Sequence, residues 1–175
     1  MVATDGGRIG IGASNTGTGK VLNLEEFTAK LTPGARLLGI DLGTKTLGLA
    51  LSDVTRTVAS GLTTLQRGRF AADARHLLEL ATRHDVGGLV IGLPINLDGS
   101  EGPRAQATRA FARNLGRVTP LPILLWDERL STAAAERTLL EADASRKRRA
   151  AVIDKVAATL ILQSALDRMN YMRKP

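Results

Sequence analysis

Leu37-Leu-Gly-Ile-Asp-Leu-Gly-Thr-Lys-Thr-Leu-Gly-Leu-Ala-Leu-Ser-Asp53 reads as two apolar strands, 37–42 and 47–52, joined by a tight Gly-Thr-Lys turn. Strands closed by so short a turn pair antiparallel. The same stretch places one carboxylate, Asp41, at the end of the first strand. A charge at the rim of a sheet core is costly unless a cation or hydrogen-bond donors meet it. Taken alone, Asp41 reads equally well as a turn residue and as a binding residue.

Working outward, residues 57–65 read as a third strand. Residues 69–84 carry Phe70, Ala74, Leu77, Leu78 and Ala81 at helical spacing. Val86-Gly-Gly-Leu-Val-Ile-Gly-Leu93 is a continuous apolar run, as in a strand buried on both faces. Gly102-Pro103 opens a helix with proline in its first turn, and Ala107, Ala110, Phe111 and Leu115 form its buried stripe. Pro122-Ile-Leu-Leu-Trp126 is another buried strand. Ser131 or Thr132 can cap a helix running to about residue 141. A last helix, 150–169, is expected to bury Ile153, Val156, Ala157, Leu160, Ile161 and Ser164. A meander followed by alternating helices and strands predicts an α/β fold. The expected sheet is mixed and five-stranded: a three-strand antiparallel meander plus parallel strands, with helices on both faces. Residues 33–175 form one domain in this reading. Residues 1–32, rich in Gly, Thr, Ser and Asn, form a flexible arm with room for a short helix at 24–31.

A chain of 175 residues suits one domain with a real core. No apolar run is long enough to cross a membrane. The first residues lack a basic region followed by an apolar core, so no secretory signal is expected and a cytoplasmic location is the default. Without cysteine there is no disulfide and no thiolate metal site. A net charge of +7 and a pI near 10.5 favour a polyanionic partner, nucleic acid first. With three Phe, one Tyr and one Trp, a base-stacking platform is a poor fit, which leaves the phosphate backbone as the surface to contact. Gly17-Thr-Gly-Lys20 fails as a P-loop, because Ser14 replaces the first glycine and Val21 the magnesium-binding hydroxyl.

Chemistry gathers where strands end. Asp127 and Glu128 follow the last strand, so two strands deliver acids to one rim, the usual ligand side of an open α/β sheet. Asp154 lies on the final helix beside its apolar stripe and can reach that rim if the helix crosses the sheet. Three carboxylates without cysteine make a hard-oxygen site suited to Mg2+ or Mn2+, and two such ions can hold a phosphodiester and activate water. Each acid also has a plainer account. Glu128 beside Arg129 can be an exposed ion pair worth under about 1 kcal/mol. Asp154 can be a first-turn helix acid. Arg146-Lys-Arg-Arg149 reads as a solvated, mobile run, and His76 and His84 lack ligand spacing.

Four motifs in order resemble the YqgF/RuvX family. Gly39-Ile-Asp-Leu-Gly-Thr-Lys-Thr-Leu-Gly-Leu-Ala-Leu-Ser-Asp53 is similar to its opening strand pair. Val90-Ile-Gly-Leu-Pro-Ile-Asn-Leu-Asp-Gly-Ser-Glu-Gly-Pro103 resembles its central strand and loop, and Asp127-Glu-Arg-Leu-Ser-Thr132 its second acidic motif. Asp154-Lys155, followed by Val-Ala-Ala158 and Ile-Leu-Gln163, resembles its last helix. The resemblance implies a ribonuclease H-like fold and a nuclease for the 5′ end of precursor 16S rRNA. The family was earlier proposed to contain Holliday junction resolvases, by similarity to RuvC. It further implies a metal-dependent catalytic site at Asp41, Glu128 and Asp154, with Asp41 as the central ligand and Mg2+ or Mn2+, two ions, as cofactor. Lys45, Arg129 and Lys155 are weaker candidates for phosphate contacts, and Asn96 and Asp98 for the border of the substrate groove. The implied partners are structured RNA or branched DNA and ribosomal particles, with no membrane, for a monomer or homodimer. Two departures stand out: a longer N-terminal arm, and Ser131 where threonine is common.

Three other functions compete. A resolvase would be a symmetric dimer on a four-way junction. Asp-x-Gly-Thr-Lys also resembles the first phosphate loop of actin-like ATPases, but the chain is too short for their second loop and lobe. A non-catalytic binding protein would not need the three acids.

Overall fold

A computed structural model describes residues 19–143 and 146–175. The elements are β1 (Val21–Leu22), α1 (Leu24–Ala29), β2 (Arg36–Leu42), β3 (Thr46–Ser52) and β4 (Ala59–Gln66). They continue with α2 (Phe70–Arg83), β5 (Val86–Leu93), α3 (Pro103–Gly116) and β6 (Ile123–Asp127). A 3-10 turn at Glu128–Leu130, then α4 (Ala133–Asp143) and α5 (Arg146–Met172), complete the chain. The sheet order is β1-β6-β5-β2-β3-β4. β2, β3 and β4 form the antiparallel meander, while β5 and β6 add in parallel through crossover helices. This is the mixed α/β arrangement, meander plus parallel strands, expected from the element order.

Two apolar layers flank the sheet. On one face Leu38, Ile40, Leu89, Ile91 and Ile123 pack against Leu77 of α2 and Phe111 and Leu115 of α3. On the other, Leu37, Ala50, Val90, Leu124 and Trp126 pack against Ala158, Ile161, Leu162 and Leu166 of α5. Strand residues alternate between these layers with period two, and that alternation decides which strand-end acids face α5.

Among the described residues the sheet has six strands, not five, and the expected arm is the reason. Within residues 1–32, the part from 19 onward is folded: Val21–Leu22 pairs in parallel with Ile123 and Leu124. Asn23 then starts α1 with a capping box, its Oδ1 accepting from Glu26 N at 2.9 Å while Glu26 accepts from Asn23 N at 3.3 Å. Phe27, fully buried, anchors this helix in the α5-side layer. One large aromatic and a cap outweigh the polar composition that suggested an arm. Residues 1–18 lie outside the described residues.

Other boundaries move for local reasons. β4 begins at Ala59 because Asp53 holds the preceding loop, its Oδ1 accepting from Thr57 N at 2.7 Å and Val58 N at 2.9 Å. The basic run 146–149 is the first turn of α5. The buried stripe of α5 is Ile153, Ala157, Ala158, Ile161, Leu162, Ala165, Leu166 and Met169. Val156, Leu160 and Ser164 are only partly buried. Ser164 sits at the stripe's edge, where its hydroxyl accepts from Trp126 Nε1 at 3.1 Å and donates to Leu130 O at 2.8 Å.

Candidate active site

Strand parity selects the acids. On β2, Leu37 lies in the α5-side layer and Leu38 and Ile40 in the opposite one, so Asp41 faces α5. On β6, Leu124 and Trp126 face α5, and Glu128, two residues on, continues that face. Asp127 takes the other parity and pairs with exposed Arg129, at 2.7 Å. Between the two chosen strands lies Gly92 of β5. A Cβ there would stand 2.8 Å from Glu128 Oε1 and 2.5 Å from Ile161 Cδ1, so the Glu128 carboxylate occupies space that only glycine leaves free.

Asp154 arrives by close helix–sheet approach. Gly48 of β3 pairs with Asp41, and a Cβ on Gly48 would collide with the backbone of Asp154. Glycine therefore lets α5 lie directly on the strand next to Asp41. The Asp154 carboxylate accepts from Thr46 Oγ1 at the start of β3, beside Gly43. Its charge acts on Asp41.

Arg137 of α4 is the residue that the sequence reading missed. Its guanidinium bridges the two strand-end acids, donating through Nη2 to Asp41 Oδ1 and through Nη1 to Glu128 Oε2, the latter at 2.8 Å. All three groups are largely withdrawn from water: side-chain exposure is 15% for Arg137, 1% for Asp41 and 6% for Glu128. The Asp41 carboxyl is raised to about 7: burial is the main cause, Arg137 opposes it, and the Glu128 and Asp154 charges add to it. Burial alone would lower the Arg137 guanidinium, but its bond to Glu128 and the charges of Asp41, Glu128 and Asp154 hold it above its ordinary value. Arg137 follows the fully buried Ala133 by one helical turn, which turns it toward the core. Nothing in the spacing tied that turn to Asp41.

The weaker candidates scatter. Lys45 is exposed in the β2–β3 turn. The Lys155 stem runs over Gly61 of β4, away from Glu128. Asn96 and Asp98 belong to a tight exposed turn in which Asn96 N donates to Ser100 O at 2.9 Å and Ser100 N to Asp98 Oδ1 at 2.8 Å. Asn96, but not Asp98, borders a cleft of about 560 Å³ that Arg104, Glu128, Arg129 and Arg137 also line. His76 and His84 line a separate hollow against β4.

As arranged here, no three acidic, histidine or cysteine side chains among the described residues stand close enough to hold one metal ion. Arg137 lies between two of the acids and Thr46 engages the third. The donor set nevertheless fits a hard divalent cation. Its atoms are carboxylate oxygens, and Asp41 Oδ2 is buried without a hydrogen-bond partner. The cluster already holds one cationic group.

Residues 35–168 match the model of a family described as "RuvX: Holliday junction resolvase". A protein of Paracoccus denitrificans (strain Pd 1222) is 61% identical over 150 residues, covering 86% of this chain and 95% of its own length. One of Ruegeria sp. (strain TM1040) is 60% identical over 149 residues, covering 85% and 95%. Both bear the name "Putative pre-16S rRNA nuclease". Among solved structures, T. thermophilus RuvC in complex with Holliday junction substrate is similar at a TM-score of 0.49 and 14% identity, over 78% of this chain and 96% of that one. With a family match across β2 to β6 and most of α5, the chain belongs to the RuvX family.

Proposed function

We propose that this protein is a nuclease that hydrolyses phosphodiester bonds at the 5′ end of precursor 16S rRNA during ribosome assembly. The carrying observation is the convergence of Asp41, Glu128 and Asp154 on the α5 face of the sheet, beside a cleft lined by Arg104, Arg129 and Arg137. The names of relatives about 60% identical over nearly their full length support the RNA substrate. Such a substrate places the reaction in the cytoplasm.

Asp41, Glu128 and Asp154 would hold Mg2+ or Mn2+, with Asp41 central. A divalent ion bound there supplies an activated water and neutralises charge on the phosphate. The chain itself contributes the rest. Buried β2 fixes Asp41, Gly92 makes room for Glu128, and Gly48 lets α5 bring Asp154 alongside. The arginines attract and orient the phosphate backbone, and the net charge of +7 supplies longer-range attraction. Arg129 and Asn96 form the outer rim of the groove.

A second reading, cleavage of four-way DNA junctions, is favoured by the description of the family model. Matched substrates separate the two. Purified protein with Mg2+ should cut a 16S rRNA precursor carrying its 5′ extension and leave a four-way DNA junction largely intact. Faster cutting of the junction, by an active dimer, would replace the RNA reading with the second.

A further inference from the structure

We propose that Arg137 is the built-in counter-cation of the acid cluster, occupying the place between Asp41 and Glu128 that a divalent ion takes, so that ion binding and release of the guanidinium are one event. The inference rests on the metal reading of the site. Arg137 donates to one oxygen of Asp41 and both of Glu128, the latter at 2.8 and 3.4 Å. A guanidinium and a hard cation compete for the same carboxylate oxygens, so both cannot be fully engaged at once. Without a cation the two buried acids repel each other across a glycine gap. Arg137 removes that repulsion, which lets the cluster stay preformed before metal arrives.

The surroundings suit a group that lets go. α4 packs on α5 and on the 3-10 turn rather than across the sheet. Arg137 also lines the 560 Å³ cleft, so a released guanidinium has a groove to turn into, alongside Arg104 and Arg129. The contrast with Arg109 is informative. That arginine pairs with Glu101 at 2.5 Å, but with side-chain exposures of 40% and 30% it neutralises no buried acid.

Isothermal titration with MnCl2 alone, without nucleic acid, tests the idea on wild type, Arg137→Gln and Arg104→Gln. Removing a competitor that holds most molecules closed should tighten Mn2+ binding by about tenfold in Arg137→Gln. Arg104→Gln removes an equal charge that also acts on Asp41 and should tighten it far less. The melting temperature of metal-free Arg137→Gln should fall, and saturating Mn2+ should raise it more than it raises that of wild type. Equal tightening in the two variants, or none in Arg137→Gln, overturns the inference while leaving the metal site standing. No Mn2+ binding to any of the three proteins overturns the metal reading and this inference together. If Arg137→Gln does not fold, nuclear magnetic resonance of 15N-arginine wild type decides. One slowly rotating, two-sided guanidinium should be lost at saturating Mg2+, with the Arg109 and Arg129 signals as references. Its persistence overturns the proposal.

Discussion

Asp127 and Glu128 are chain neighbours with opposite fates, and one residue of strand parity separates them. Asp127 meets solvent and exposed Arg129. Glu128 turns under α5 and shares Arg137 with Asp41. Neutralising each should therefore give unequal results. Glu128→Gln leaves buried guanidinium donors short of an anionic partner, and urea denaturation should show a loss of about 1–3 kcal/mol. Asp127→Asn breaks a partly exposed pair and should cost less than about 1 kcal/mol. Similar losses for the two would contradict the parity assignment. Period two was legible in the sequence, since Leu124 and Trp126 alternate with Ile123 and Leu125, yet the reading stopped at both acids together. Arg137 was not legible. Its link to Asp41 spans 96 positions and depends on where α4 lies, which no local pattern encodes.

At the scale of elements, the seat of α5 on β3 is the critical contact. Gly48→Ala puts a methyl group into the backbone of Asp154, so helix or strand must yield. Overpacking of this kind costs about 1–3 kcal/mol, and the variant should lose cleavage out of proportion to its lowered melting temperature, because Asp154 moves. Full activity in Gly48→Ala would show that the position of Asp154 is unimportant. The β3–β4 loop offers a pH test. The Thr55 hydroxyl, then the Val58 and Thr57 N–H groups, hold the Asp53 carboxyl down at about 2, below its ordinary 3.8. A depressed acid stabilises the fold above its unfolded pKa, and that contribution disappears as pH falls through about 2. The difference in melting temperature between wild type and Asp53→Asn should thus be full at pH 5 and shrink toward pH 2. A difference constant over that range would rule out the capping role. Helix and strand order followed from periodicity, but the α5 stripe did not: it is rotated from the predicted one because α5 follows the sheet's close-packed glycines, a tertiary constraint.

For the whole molecule, residues 19–35, before β2, are part of the fold. Phe27 fills the α5-side layer, with Cζ and Cε2 within 2.8 and 3.0 Å of where a Cβ on Gly88 would stand. Phe27→Ala should cost about 3–5 kcal/mol by chemical denaturation, whereas a residue in a flexible arm would cost almost nothing. Composition concealed this, since one buried aromatic among polar residues leaves no periodic trace. In the proposed function, the frame serves to bring Asp41, Glu128 and Asp154 from three distant segments to one rim. That claim is tested most directly by assaying wild type and Asp41→Asn on precursor 16S rRNA with Mg2+, circular dichroism confirming that both are folded. Wild type should cleave and the variant should fall to background; undiminished cleavage by folded Asp41→Asn would contradict the assigned site.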